Sequence, residues 1–201
     1  MILAIDTSTA ACSAALFDSA GACVAHSDEL IGRGHSERLV PMLDELLQGR
    51  RADSILVGVG PGSFTGIRVG IAAAQGLGIA WDCEVCGMSS LALLAAGASG
   101  SGSVAAAVDG GHGELFVQQF NGQTRQPAQL MNLPPVEAAR VIDAETVAGP
   151  GAQSLVEARG TGRAVDAMPS AKNAMRLPAE LRSLPPKPIY ARAPDAKAKA
   201  A

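Results

Sequence analysis

Ile2-Leu-Ala-Ile-Asp6-Thr7-Ser8-Thr9 decides the fold: an apolar run ends on an aspartate followed by three hydroxyl side chains. The run reads as a buried strand and the polar tetrapeptide after it as a turn. Apolar alternation returns from Cys12 to Phe17, before Ser19-Ala-Gly21, so strand, acidic turn and strand make a β-hairpin. Ala22 to Ser27 supplies a third strand. A carboxylate beside several hydroxyls and backbone donors can hold a metal-bound phosphate. A hairpin tip closed by Asx-type hydrogen bonds uses the same residues, so the stretch by itself supports either role.

Working outward, Ser36-Glu-Arg-Leu39 starts a helical pattern with Leu39, Met42, Leu43, Leu46 and Leu47 on one face, and Ser36 is its expected cap. Asp53 to Val59 is a buried strand leading into Gly60-Pro-Gly-Ser-Phe-Thr-Gly66, and a small-residue helix is expected from Ile67 to Ala80. Cys83 to Gly87 reads as a short strand and Ser89 to Ala96 as a helix. Gly97 to Ser103 is a Gly/Ser/Ala linker that divides an N-terminal lobe, 1–97, from a smaller C-terminal lobe, 104–194. Val104 to Val108, the turn Asp109-Gly-Gly-His112-Gly113 and Glu114 to Phe120 repeat the opening strand, aspartate turn and strand, which predicts an internal duplication. Beyond Asn121 the pattern weakens. Short strands are expected at Thr146 to Ala148 and Ala164 to Val165, helices at Val136 to Ile142 and Ala171 to Arg176, a turn at Gly149-Pro-Gly151, and a frayed tail over 195–201.

Composition narrows the function. The 201 residues are 48% hydrophobic, enough to build one large core or two small ones. A net charge of -3 gives no basic field, so this chain alone is expected to bind RNA poorly. No leader pattern precedes Ile2 and no uninterrupted apolar run reaches about 18 residues, so the expectation is a cytoplasmic protein without a membrane span. Cys83-Glu-Val-Cys86 is a single C-x-x-C without a second pair, and His26, His35 and His112 stand in scattered contexts, so no metal site is expected.

The run Gly60-Pro-Gly-Ser-Phe-Thr-Gly-Ile-Arg68-Val-Gly70 follows a strand and opens a helix. Its glycines suit a backbone that meets an anion at a helix start, or one that packs tightly against a neighbouring element, and the residues favour neither. It is not a P-loop, because Gly66-Ile67-Arg68 lacks the Gly-Lys-Ser/Thr ending.

Taken together, Ile2 to Ser8, Gly34-His35-Ser-Glu-Arg-Leu39 with Pro41-Met42-Leu43, Gly60 to Gly70, Ser89-Ser90-Leu91 and Pro188-Ile-Tyr-Ala-Arg192 resemble the TsaB (YeaZ) family, in order and across nearly the whole chain. The resemblance implies an α/β fold of the actin-like ATPase type (ASKHA, with a ribonuclease H-like motif) and two related lobes. It implies an accessory subunit without catalytic residues, acting beside the catalytic paralogue TsaD and the ATPase TsaE. That assembly transfers a threonylcarbamoyl group to the adenosine next to the anticodon in tRNAs reading codons that begin with A. The implied partners are TsaD in a heterodimer, TsaE, and tRNA through the complex, with a homodimer as the state open to the isolated chain. No cofactor of its own is implied, ATP being bound by the complex.

The resemblance also nominates residues. Phosphate-binding hairpins in this architecture make Asp6, Thr7, Ser8, Asp109 and His112 the candidate nucleotide contacts. TsaD holds its metal through a His-x-x-x-His pair at a helix start. The corresponding positions here are Ser90 and Leu94, which cannot ligate as imidazole does, so no catalytic metal is expected. Partner contacts in the family lie on N-terminal-lobe helices, here residues 36–48 and 67–80, which nominates His35, Leu39, Met42, Leu43, Leu46, Arg68, Ala72 and Gln75. Burial within the monomer is the competing use of these residues. Asp109-Gly-Gly-His-Gly-Glu114 departs from the family's Asp-Ala-Arg-x-Gly-Glu and resembles the Gly-Gly-His-Thr of TsaD, and the stretch 123–184 matches the family poorly. The rival reading is a stand-alone ATP-binding phosphotransferase or hydrolase of the same superfamily, resting on Asp6, Asp109 and the two Gly-rich turns.

Overall fold

The computed structural model describes residues 1–98, 102–122 and 126–191; the middle of the expected linker, Arg192 and the tail lie outside the described residues. The opening hairpin forms as β1 (Ile2–Asp6) and β2 (Ala11–Phe17), joined by β3 (Cys23–Leu30), β4 (Ser54–Gly58) and β5 (Glu84–Met88) in one sheet of order β3-β2-β1-β4-β5. β1, β2 and β3 are antiparallel, whereas β4 and β5 run parallel to β1. Helices α1 (His35–Leu47) and α2 (Phe64–Trp81) cover one face, meeting Leu3, Ile5, Leu16, Ile55 and Val57. The other face carries Ala4, Ala15, Phe17 and Leu56 and packs on α3 (Ser90–Gly97). Because both faces are covered, β1 and β2 are apolar almost throughout rather than alternating with polar residues.

The second sheet comprises β6 (Val104–Gly111), β7 (Glu114–Asn121), β8 (Gln126–Pro127), β9 (Met131–Leu133), β10 (Thr146–Ala148) and β11 (Arg163–Val165). Its order is β11-β10-β6-β7, with β8 and β9 both antiparallel to β7. Read as β9-β7-β6-β10-β11, it repeats the order and strand directions of the first sheet, which is the duplication the two aspartate turns predicted. Helices α4 (Pro135–Val141) and α5 (Ala152–Arg159) cover its outer face through Ala138 and Leu155. Its inner face, Val104, Ala106 and Val108, meets α3. Flanked by both sheets, α3 is buried all round, and its sequence Ser-Leu-Ala-Leu-Leu-Ala-Ala-Gly is correspondingly apolar on every side.

Several boundaries differ from the sequence expectation, each for a local reason. Helix α1 starts at His35, behind a left-handed Gly34, so Ser36 lies inside the first turn and its hydroxyl donates to Glu37 instead of capping. Helix α2 starts at Phe64 rather than Ile67, because the Ser63 hydroxyl accepts the Gly66 N–H and brings Phe64-Thr65-Gly66 into the first turn. Strand β3 reaches Leu30, three residues beyond Ser27, and Arg38 of α1 pins its end with a two-pronged pair to Glu29. Ala171–Arg176 is a short 3-10 helix, and α5 follows directly on the Gly149-Pro-Gly151 turn, where no helix was expected.

The segment after Pro169, assigned by sequence to the second lobe, returns to the first sheet. The Ala171 N–H donates to the Ser13 hydroxyl at 2.7 Å, and the Ser13 and Ser170 hydroxyls both donate to Asp28. Leu184 and Gly87 exchange backbone hydrogen bonds, and the Ile189 N–H donates to the Val59 carbonyl at 2.8 Å. Among the described residues no helix is long and apolar enough to cross a membrane. Ser13 is fully buried, so Ser13→Ala strands the Ala171 N–H and removes one donor to Asp28. A loss of about 1–3 kcal/mol in urea unfolding is expected, with faster amide exchange at Ala171.

Candidate functional site: an inter-lobe cleft and the outer face of two helices

Asp6 ends β1 with 1% of its surface exposed. One carboxylate oxygen accepts the Ser8 N–H at 2.9 Å and the Ser8 hydroxyl at 2.7 Å; the other accepts the Ser90 hydroxyl at 2.6 Å. Ser90 Oγ in turn accepts the Gly60 N–H at 3.2 Å. Gly58 of β4 lies against the same carboxylate, and a methyl group there would overlap it. Burial raises the Asp6 pKa above the ordinary carboxylate range, opposed by the hydrogen bonds from Ser90 and Ser8. Thr7 is fully buried and donates from Oγ1 to the Gly66 carbonyl at 2.7 Å. Side chains on Gly66 or Gly70 would strike Thr7, so this glycine run serves close approach of α2 to the hairpin turn.

A cleft of about 830 Å³ opens between the lobes. Ser8, Thr9, Gly62 and Ser63 line one side, Asp109, Gly110 and Phe116 the other, with Phe64, Met168, Ile189 and Tyr190 making much of it apolar. Asp109 is the single charged side chain among its described lining residues, and it accepts the Gly111 N–H at 2.7 Å. Among the described lining residues no cation faces the charge of a polyphosphate, which kinases and ATPases neutralise with Lys, Arg and metal ions. Asp6 and Thr7, nominated as nucleotide contacts, are turned into the protein, where Ser8, Ser90 and Gly66 engage their polar atoms. His112 is exposed at the tip of the β6–β7 turn with φ of 55° and does not line the cleft. Ser8 and Asp109 alone of the five reach it.

Ser90 and Leu94, the positions matching the TsaD histidines, are occupied structurally: Ser90 bonds Asp6, and Leu94 is 2% exposed in the core. Cys83 and Cys86 are free thiols, both held toward the protonated form by burial, and Cys86 lies on β5. Among the described residues no group of three or more His, Cys, Asp or Glu side chains is arranged to hold a metal ion.

The nominated partner residues divide by helix. On α1, Leu39, Met42, Leu43 and Leu46 are buried against the first sheet, and His35 is buried with Nε2 3.2 Å from the Ala11 carbonyl. These five face inward because the apolar stripe that made the helix recognisable is the stripe the sheet covers. The α1 residues that do face solvent include Val40 and Pro41. On α2, Arg68, Ala72 and Gln75 are exposed, and the same stripe continues through Gly76 to Ile79, which is 85% exposed.

Phe64 and Tyr190 were missed. The Arg68 guanidinium lies 3.6 Å above the Phe64 ring, its Nε donates to the Tyr190 hydroxyl at 3.0 Å, and the two rings are 5.6 Å apart. The signal was present in a chain with 3% aromatic residues: one aromatic falls inside the glycine run and another inside Pro188-Ile-Tyr-Ala191, but nothing in the spacing joins residues so far apart.

The Asp6 environment gives a pH signature. With its folded pKa raised above the ordinary 3.8, Asp6 favours the fold when protonated. Its contribution is complete below the unfolded pKa and is lost as pH rises through the folded one. Asp6→Asn cannot titrate. The stability of the wild type minus that of Asp6→Asn, from urea midpoints, should therefore fall as pH is raised from about 4; a difference that grows with pH would mean a depressed pKa, with the hydrogen bonds from Ser90 and Ser8 outweighing burial.

Residues 27–179 match the model of the TsaD family, described as tRNA N6-adenosine threonylcarbamoyltransferase. The chain is 40% identical over 127 residues to the tRNA threonylcarbamoyladenosine biosynthesis protein TsaB of Escherichia coli, covering 59% of this chain and 54% of that protein. It is 40% identical over 126 residues to the protein of the same name from Haemophilus influenzae, covering 59% and 52%. The chain thus spans about half the length of the curated relatives it matches. Among solved structures, YeaZ from Pseudomonas aeruginosa superposes with a TM-score of 0.79 at 34% identity, covering 94% of this chain and 98% of that one. With that structural match at 34% identity and the family model covering residues 27–179, the chain belongs to the TsaB (YeaZ) family, whose fold is of the actin-like ATPase type.

Proposed function

We propose that this chain is a noncatalytic accessory subunit in the formation of threonylcarbamoyladenosine in tRNA, and that it binds and activates TsaD together with TsaE. The observation that carries the reading is the fate of Asp6. The carboxylate that would face phosphates in an ATP-handling member is closed off by Ser8 and Ser90, and among the described residues lining the cleft beyond it there is no cation. What the first lobe offers outward is the stripe Ala72, Gln75, Gly76 and Ile79 of α2 beside Val40 and Pro41 of α1. Small and apolar exposed residues on adjacent helices suit close packing against helices of another subunit.

In this reading ATP is handled by the partners, and the tRNA is held by them as well, since this chain carries a net charge of -3. Acting on tRNA, the protein in this reading works in the cytoplasm. The isolated chain can cover the same stripe with a second copy, and TsaD displaces that copy. Reconstitution tests the proposal: TsaD, TsaE, the enzyme supplying threonylcarbamoyl-adenylate and unmodified tRNA, with and without this chain, read as modified nucleoside by mass. Modification is expected only with the chain present. ATP turnover by the chain alone, abolished by Asp6→Asn, would point instead to a phosphotransferase or hydrolase. Ile79→Asp places a charge on the stripe while leaving the core intact, and is expected to weaken TsaD binding by about 1–3 kcal/mol with an unchanged Tm, measured by calorimetry and thermal melts.

A further inference from the structure

The outward face of α1 and α2 is electrostatically uneven. On α1 the charges turned to solvent include Glu37, Asp44 and Glu45, and the one arginine of that helix, Arg38, is neutralised by Glu29 and Glu45. Helix α2 carries no acid and a single cation, Arg68. This arginine is held rather than loose. It stacks on Phe64 one turn earlier, its Nε is engaged by the Tyr190 hydroxyl, and Tyr190 follows directly on Ile189, whose N–H is bonded to the Val59 carbonyl. Among the described residues neither Nη of Arg68 makes a hydrogen bond and no carboxylate pairs with it.

A guanidinium in this state is half of a recognition site. Its rotamer freedom is already restricted, and with Nε occupied the two Nη groups remain as an end-on fork matched to the two oxygens of a carboxylate. Phe64 and Tyr190, each about half exposed, surround it, and an Arg set among exposed aromatics is the composition in which binding energy concentrates at protein interfaces. A free carboxylate on the approaching surface is what this end of the face lacks. The rest of the stripe, Ala72 to Ile79, asks only for shape.

We infer that Arg68 is the anion anchor of the TsaD-binding face: its Nη pair bonds an aspartate or glutamate side chain of TsaD, and the C-terminal segment positions that fork through Tyr190. This deepens the proposed function and rests on its reading of the face. The competing occupant is a second copy of this chain, which could bring Glu37 or Asp44 to Arg68.

The test is calorimetric titration of the full chain into TsaD at low and high salt, with sedimentation of the chain alone. Arg68→Glu is expected to weaken TsaD binding roughly ten- to a hundredfold, and Arg68→Gln nearly as much, with unchanged thermal midpoints. Arg68→Lys keeps the charge but loses the fork, and Tyr190→Phe keeps the ring but frees Nε; both should fall between wild type and Arg68→Gln. Salt should weaken the wild type more steeply than Arg68→Gln. Wild-type affinity in Arg68→Glu and Arg68→Gln, with Ile79→Asp still disruptive, overturns the anchor and leaves the proposed function standing. Loss of self-association without loss of TsaD affinity overturns it in favour of the second copy. A wild-type chain that does not bind TsaD overturns both.

Discussion

The structure depends on one buried carboxylate. Asp6 stands where β1 ends, the hairpin turn begins, β4 passes at Gly58 and α3 starts at Ser90. Its oxygens gather the Ser8 N–H and the hydroxyls of Ser8 and Ser90, and Ser90 carries the connection on to the Gly60 N–H at the head of the glycine run. A carboxylate so placed is costly to bury, and three hydrogen bonds, from the Ser8 N–H and the Ser8 and Ser90 hydroxyls, offset that cost. The price is a raised pKa; the return is that strand, turn and helix start are fixed to one another.

Around that node the packing leaves little latitude. Thr7 sits against Gly66 and Gly70, so α2 lies closer to the hairpin turn than any side-chain-bearing helix could. Its outer surface combines the small residues Ala72 and Gly76 with Phe64, Arg68, Gln75 and a projecting Ile79. Helix α3, apolar on all sides, joins the two sheets, and the segment after Pro169 ties the second half of the chain back to the first through Ser13, Asp28 and Gly87.

The architecture was legible because its signals are local. The repeat of strand, aspartate turn and strand at Asp6 and Asp109 announced an internal duplication, and the spacing of Leu39, Met42, Leu43 and Leu46 announced a helix; that the two sheets share one strand order emerged only from the fold. That spacing could not say whether the stripe faces a partner or the protein's own sheet, and burial decided for the sheet. The direction in which Asp6 points was hidden for a similar reason: its partner Ser90 is 84 residues away, and only the fold brings them together. The Phe64, Arg68 and Tyr190 cluster was hidden by a separation of 122 residues. Short strands such as β8 and β9, and the helix after Gly151, carry too few residues for a period to emerge.

The central claim is that Asp6 holds the fold and takes no part in chemistry. The direct measurement is the rate of threonylcarbamoyladenosine formation by the reconstituted complex carrying Asp6→Asn, at a temperature where the variant is folded and bound to TsaD. Asparagine keeps an oxygen for Ser8 and an amide able to donate to Ser90, so the account predicts a rate equal to that of the wild type. A rate that collapses while folding and TsaD affinity persist would contradict it.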